Sequence, residues 1–120
     1  MRLQALRGAI TCNEDTKEEI EAKTQRLVKE LLARNDLAHD DLVSLIFTAT
    51  DDLTAEFPAT AARSAGLGDI PLLCARELAI DGGMAMCVRL LVHCYTDRPR
   101  DQLHHVYLDG ARSLRDDLPE

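Results

Sequence analysis

Apolar or small side chains alternate with other residues at the start of the chain, which predicts a β-strand over residues 2–12. The odd-numbered positions from Leu3 to Thr11 would share one face, and the even-numbered positions from Gln4 to Ile10 would share the other. Arg7 belongs to the odd-numbered set. We therefore expect its guanidinium to project among small and apolar neighbours.

Helical patterns follow in two places. Thr16 and Glu19 form a capping-box pair at the start of a run whose apolar residues recur at helical spacing. These residues are Ile20, Leu27, Val28, Leu31 and Leu32. They predict an amphipathic helix over residues 16–35. Pro58 can begin a second, shorter helix, and the sequence Gly66-Leu67-Gly68 can end it.

Further strands are predicted at residues 42–50, 72–75, 84–95 and 105–108. In residues 84–95, Arg89 would share a face with Leu91, His93 and Tyr95. The order β-α-β-α-β-β-β predicts one α+β domain over residues 1–120, with a mixed β-sheet and two main helices. Two helices are too few to cover five strands on both faces. We therefore expect an apolar sheet face that a homo-oligomer would bury.

Composition narrows the classes of function. The 120 residues suffice for one domain, and a net charge of −7 disfavours nonspecific binding to nucleic acid or to an anionic membrane. The four cysteines, Cys12, Cys74, Cys87 and Cys94, have no CxxC spacing, and no signal peptide or membrane-length apolar run is present. We interpret the chain as a cytoplasmic protein with reduced thiols.

Two arginines are candidates for binding an anion. Arg7 and Arg89 each lie in the middle of a predicted strand, among residues that should be buried. A guanidinium removed from water is costly unless it meets an anion, which can be a carboxylate side chain of the protein or a ligand. A salt bridge would explain one such arginine. Two in separate strands favour a shared anionic ligand.

Other polar residues carry weaker signals. Glu77 follows the third predicted strand, where its carboxylate could accept a hydrogen bond from a ligand hydroxyl or could be exposed in a turn. Arg63 and Arg115, taken alone, could be solvated. His93 and Cys94 would point to opposite faces of their strand, so no metal site is expected. No nucleophile motif or phosphate-binding glycine signature is present.

Several different short motifs follow one another along nearly the whole chain. They include Arg7-Gly8-Ala9, Phe57-Pro58-Ala59, Cys74-x-x-Glu77, Cys87-Val88-Arg89, His105-Val106-Tyr107-Leu108 and Leu114-Arg115. Together they resemble the trimeric, Bacillus-type monofunctional chorismate mutases. The resemblance implies an enzyme of aromatic amino acid biosynthesis that rearranges chorismate to prephenate without a cofactor or a metal. It also implies a homotrimer that forms a pseudo-α/β barrel, with active sites between subunits.

The resemblance implies roles for three catalytic residues. Arg89 matches the arginine that donates to the ether oxygen and a carboxylate of chorismate. Arg7 matches a second arginine that holds a carboxylate. Glu77 matches a carboxylate that contacts the ring hydroxyl.

Five further residues match substrate-binding positions of the family. Cys74 matches a second contact to the ring hydroxyl, and Tyr107 matches a residue that binds the side-chain carboxylate. Phe57 matches an apolar wall contributed by the neighbouring subunit. Arg63 and Arg115 match arginines at the mouth of the cleft, where they would help to capture the dianion.

A function of another class also fits these residues. A noncatalytic trimeric module that binds or senses a small ligand would keep the same sheet and cleft, because fold alone does not determine function. The joint presence of Arg7, Glu77 and Arg89 favours the enzyme.

Overall fold

The computed structural model describes residues 1–115, except the side chain of Arg115. Within these residues the chain forms five strands and two α-helices, in the predicted order. The strands are β1 (Arg2–Thr11), β2 (Leu42–Ala49), β3 (Leu72–Arg76), β4 (Cys87–Thr96) and β5 (Val106–Leu108). The helices are α1 (Lys17–Arg34) and α2 (Pro58–Ala62). Short 3-10 segments are formed by His39–Asp41, Arg100–Gln102 and Asp109–Arg115.

All five strands belong to one mixed sheet, in the order β3-β2-β4-β1-β5. The central strand β4 pairs antiparallel with both β1 and β2, whereas β2 with β3 and β1 with β5 are parallel pairs. The predicted α+β fold with a mixed sheet is therefore confirmed. Helix α1 connects β1 to β2. Because β4 lies between these two strands in the sheet, the connection crosses over β4.

Helices α1 and α2 cover one face of the sheet, which we call the covered face. The buried side of α1 consists of Ile20, Thr24, Leu27, Val28 and Leu31. These residues pack against inward-facing strand residues such as Leu6, Phe47 and Val92. Gly8 permits a close approach of α1 to β1, because a Cβ atom there would lie 2.8 Å from Leu31 Cδ1.

The start of α1 differs in one detail from the predicted capping box. The Glu19 backbone N–H donates to the Thr16 hydroxyl at 3.2 Å, as predicted. The Glu19 carboxylate, however, accepts a hydrogen bond of 2.7 Å from the Asn13 backbone N–H rather than from that of Thr16. The Thr16 half of the capping box therefore forms, whereas the Glu19 carboxylate connects the helix to the preceding loop.

The second helix begins at Pro58, as predicted, and continues into one wider, π-helical turn over Arg63–Leu67. Gly66 interrupts this turn with a φ of 92°, a conformation that glycine adopts without steric cost. The helical segment ends at Leu67, within the Gly66-Leu67-Gly68 sequence that predicts its end.

The opposite face of the sheet, which we call the open face, is largely uncovered by the described residues. Three large apolar side chains on it, Leu3, Leu73 and Tyr95, are 55%, 59% and 45% exposed. They are accompanied by smaller and polar residues of β1, β2 and β4. This is the uncovered face that the ratio of helices to strands predicts.

Residues 109–115 fold back onto the sheet after β5. Asp109 adopts a φ of 54° and turns the chain back onto the sheet, where Ala111 is buried. The Asp109 carboxylate pairs with Lys23 at 2.5 Å and with Arg26 at 3.0 Å, and the Gly110 N–H donates to the Thr11 hydroxyl at 2.8 Å. These contacts fold the segment over one end of the open face.

No helix formed by residues 1–115 combines the length and the apolar character needed to cross a membrane.

Candidate active site

Three polar residues of neighbouring strands meet on the open face. Arg89 on β4 lies opposite Thr48 on β2, and Glu77 follows directly after β3. The Arg89 Nε atom lies 3.2 Å from Glu77 Oε1. The other carboxylate oxygen, Oε2, accepts a hydrogen bond from the Thr48 hydroxyl. The Glu77 backbone N–H donates to the Ala49 carbonyl at 3.0 Å, which fixes where the side chain begins.

The expectation that Arg89 is buried is wrong in part. Its side chain is 42% exposed and that of Glu77 is 21% exposed, because the open face lacks a cover in the single chain. The Arg89 Nε atom itself is buried, and its N–H is not directed at any acceptor among the described residues, although Glu77 Oε1 is close enough for an ion pair. The guanidinium therefore retains donors for a further anion.

Arg7 is exposed rather than buried, for the same reason. It lies opposite Leu91 in the β1–β4 pairing, one step along the open face from Arg89, which lies opposite Ala9. The Arg7 backbone N–H donates to His105 Nδ1 at 3.0 Å, which joins β1 to the residue preceding β5. The structure thus brings the two predicted arginines onto one face, as diagonal neighbours.

Tyr107 lies on the same face as both arginines. It pairs with Ala9 in the parallel register of β1 and β5, and it is buried in a small cluster with Ala9, Cys87 and Ala111. Burial raises the pKa of the Cys87 thiol to about 11, while the nearby Arg89 opposes that shift. Cys87 is therefore a protonated packing residue at neutral pH.

A cleft of about 540 Å³ adjoins the Glu77–Arg89 pair. We call it the Arg89 cleft. It is lined by Thr50, Asp51, Asp52, Arg89 and the loop residues 77–85. The Asp52 carboxylate accepts the Met86 N–H at 2.9 Å and so holds the end of that loop.

A second cleft, of about 350 Å³, contains two other predicted residues, Phe57 and Cys74. We call it the Phe57 cleft. Phe57 is the N-cap residue of α2 and is 68% exposed. Cys74 lies opposite the buried Phe47, so its side chain belongs to the covered face. In a single chain, these two residues are therefore separate from the open-face group of Arg7, Glu77, Arg89 and Tyr107.

The loop before Phe57 is held by Asp15. One carboxylate oxygen of Asp15 accepts the backbone N–H groups of Thr54 and Ala55 at 2.9 and 3.0 Å, and the other accepts the Thr54 hydroxyl at 2.7 Å. The hydrogen bonds from Thr54 lower the pKa of Asp15. This loop places the exposed Phe57 ring at the beginning of α2.

Of the two arginines predicted for the cleft mouth, only Arg63 has a described side chain, and it lies apart from both groups. Arg63 is exposed on the π-helical turn and lines neither cleft. The side chain of Arg115 lies outside the described residues.

Sequence reasoning missed Thr48, which bonds the Glu77 carboxylate. Alternation along residues 42–50 places Thr48 on the same face as Ser44 and Ile46, so its outward direction is readable from the sequence. The register that sets Thr48 opposite Arg89 has no local sequence signal.

A family model described as chorismate mutase type I matches residues 3–118. The chain belongs to this family. It is 44% identical over 117 residues to chorismate mutase AroH of Thermus thermophilus, with 97% of this chain and 96% of that protein covered. It is 40% identical over 119 residues to chorismate mutase AroH of Bacillus subtilis strain 168, with coverage of 98% and 94%. The resemblance drawn from the motifs is thus confirmed.

A solved structure of a chorismate mutase also has the same fold. The chorismate mutase from Clostridium thermocellum superposes with a TM-score of 0.90 at 44% identity, covering 92% of this chain and 98% of that chain. The mixed sheet with its two helices is therefore also the fold of that chorismate mutase, and chorismate mutases are isomerases.

Proposed function

We propose that the reaction of this chorismate mutase takes place beside the Glu77–Arg89 pair of the open face. One observation carries the assignment of the site: Arg89 lies at a cleft with a buried Nε atom that has no aligned acceptor among the described residues, and Arg7 is its diagonal neighbour. Two adjacent cations on an uncovered face suit a substrate that is a dianion.

Arg89 supplies the electrostatic part of catalysis in this proposal. The rearrangement breaks an ether C–O bond, and negative charge grows on the ether oxygen as that bond stretches. A guanidinium held in place by Glu77 stabilises this charge more in the transition state than in the substrate. The Glu77 carboxylate accepts a hydrogen bond from the hydroxyl of the chorismate ring, on the side of the ring that becomes relatively positive.

Arg7 and Tyr107 supply conformational restriction. Chorismate must leave its extended form and adopt a compact chair before the bonds exchange. Groups that hold both carboxylates in that geometry remove much of the entropic cost of the reaction. Arg7 and Tyr107 support this role because they lie one step apart on the same face.

The complete site requires a second copy of the chain in this proposal. Phe57 and Cys74 belong to the other cleft, and Cys74 faces away from the open face. An apolar open face and divided site residues support a homotrimer in which Phe57, Cys74, Arg63 and Arg115 act from a neighbouring subunit. Closure of three such sheets would give the pseudo-α/β barrel.

No nucleophile, metal or proton transfer is needed by this reaction, and we assign none. The four reduced thiols of the chain support a cytoplasmic location.

The loss of chorismate absorbance with purified chain tests the function, and light scattering tests the trimer. A chain that folds and trimerises but leaves chorismate unchanged would contradict the enzyme and favour the noncatalytic ligand-binding module instead.

A further inference from the structure

The Glu77 carboxylate has two partners on the open face, one for each oxygen. Oε1 lies 3.2 Å from Arg89 Nε, and Oε2 accepts the hydroxyl of Thr48. Thr48 and Arg89 are themselves directly opposite each other in the pairing of β2 with β4. The hydroxyl and the guanidinium therefore approach one carboxylate from two adjacent strands.

This arrangement limits how Glu77 can bind Arg89. A carboxylate and a guanidinium left to themselves form two parallel hydrogen bonds, and such a pair would neutralise Arg89 and occupy donors that an anionic ligand needs. Each carboxylate oxygen can accept two hydrogen bonds, so Thr48 does not block Oε2. Its hydroxyl, however, fixes where that oxygen points and so restrains the carboxylate from rotating into the bidentate arrangement. Glu77 then holds the arginine at one point and leaves its other donors available.

We propose that Thr48 is a positioning residue for catalysis, acting through Glu77; this inference rests on the proposed function. Its side chain is suited to the task because a β-branched residue on a strand has a restricted χ1 angle, which keeps the hydroxyl aimed at the carboxylate. The Glu77 backbone is already fixed by its bond to Ala49. Thr48 fixes the remaining freedom, which is that of the side chain.

The first test replaces Thr48 by valine, which keeps the shape and removes the hydroxyl. We expect kcat for chorismate to fall on the order of tenfold, the loss typical of one hydrogen bond to a charged group, with a smaller change in KM. Thr48→Ser restores the hydroxyl, so we expect it to recover most of kcat. Thr48→Ala serves as a second hydroxyl-free variant if the valine variant does not fold.

The second test asks whether Thr48 acts through Glu77. In a Glu77→Gln background, Thr48→Val should produce little further loss, since the carboxylate it orients is gone. Equal losses in both backgrounds would overturn the inference, because they would mean that Thr48 acts independently of Glu77.

A matched control is available on the same strand and face. The Ser44 hydroxyl bonds His93 Nδ1 at 3.0 Å and has no contact with Glu77, so Ser44→Ala should leave kcat near that of the unaltered chain. If the unaltered chain fails to consume chorismate, the proposed function fails. If that chain is active, Arg89→Ala is inactive and Thr48→Val is as fast as the unaltered chain, only the role of Thr48 is overturned.

Discussion

Arg7 and Arg89 are diagonal neighbours on the open face, because Arg7 lies opposite Leu91 while Arg89 lies opposite Ala9. Each contributes a positive charge, yet the chain as a whole carries a net charge of −7. Their proximity is a local concentration of positive charge within an acidic protein. It is built from two strands that are about 80 residues apart in sequence, and a positive patch of this kind attracts anions.

Replacing Arg89 tests the electrostatic part of this site. We expect Arg89→Ala to lower kcat by about a hundredfold or more, as for loss of a donor to the developing oxyanion. Arg100→Ala is a control, since Arg100 is exposed in the 3-10 segment Arg100–Gln102. Steady-state kinetics on variants with unchanged circular dichroism measure the effect. An Arg89→Ala protein that is folded and nearly as active as the unaltered chain would remove Arg89 from the mechanism.

Mixed oligomers test whether the site is shared between copies. Phe57→Asp should abolish most activity by placing a negative charge beside the dianion, while an aspartate N-cap still allows α2 to begin. Co-expression of Phe57→Asp with Arg89→Ala should recover activity that neither variant has alone. Recovery is expected because some sites would combine an intact open face with an intact Phe57 cleft.

The matched control for that experiment combines two variants of the open face. Arg7→Ala co-expressed with Arg89→Ala should recover nothing, because every open face in such an oligomer lacks one arginine. Equal recovery in both mixtures, or none in either, would argue against a site composed of two chains.

The pH dependence of the rate tests the absence of proton transfer. Burial raises the pKa values of Cys12 and Cys87 to about 11, so neither thiol ionises near neutral pH. We expect kcat to be nearly constant across neutral pH and unchanged in D2O, because no proton moves in the chemical step. A bell-shaped profile with a solvent isotope effect would indicate acid–base catalysis instead.

Local sequence patterns were sufficient for the elements and for the faces of the strands. The alternation around Arg7 and Arg89 correctly predicted the face of the strand on which each lies. It did not predict how exposed they are, because exposure depends on a covering layer that the single chain lacks. The folded conformation of residues 109–115 could not be predicted, because the contacts that hold it are remote in sequence. Asp109 meets Lys23, 86 positions earlier, and no local propensity reports such a pair.

A buried hydroxyl on α1 offers a test of the covered face. Thr24 is fully buried, and its Oγ1 atom has no hydrogen-bond partner among the described residues. An isosteric Thr24→Val variant should raise the free energy of unfolding by about 1 kcal/mol, because it removes the cost of desolvating the hydroxyl. Urea unfolding measures the change. A Thr24→Val protein less stable than the unaltered chain would show that the hydroxyl has a partner in solution.

The ion pairs of Asp109 predict how stability depends on pH. Hydrogen bonds from Lys23, and then from Arg26, lower the pKa of Asp109 in the folded chain. A carboxyl whose pKa is lower in the folded state than in the unfolded state stabilises the fold at pH values above the unfolded pKa, which is about 4. That stabilisation is lost as the pH falls through the folded pKa.

Asp109→Asn removes the charge and preserves the backbone, because asparagine tolerates the left-handed conformation that Asp109 adopts at a φ of 54°. At neutral pH the variant should be less stable by up to about 1 kcal/mol, the range of a partly exposed pair. The difference should shrink as the pH falls below about 4. Asp36→Asn is the matched control, since Asp36 is exposed at a φ of 52° and has no ion pair within residues 1–115. A stability difference for Asp109→Asn that stays constant from neutral to acid pH would mean that the segment is held by packing and by the Gly110–Thr11 bond, without a contribution from the charges.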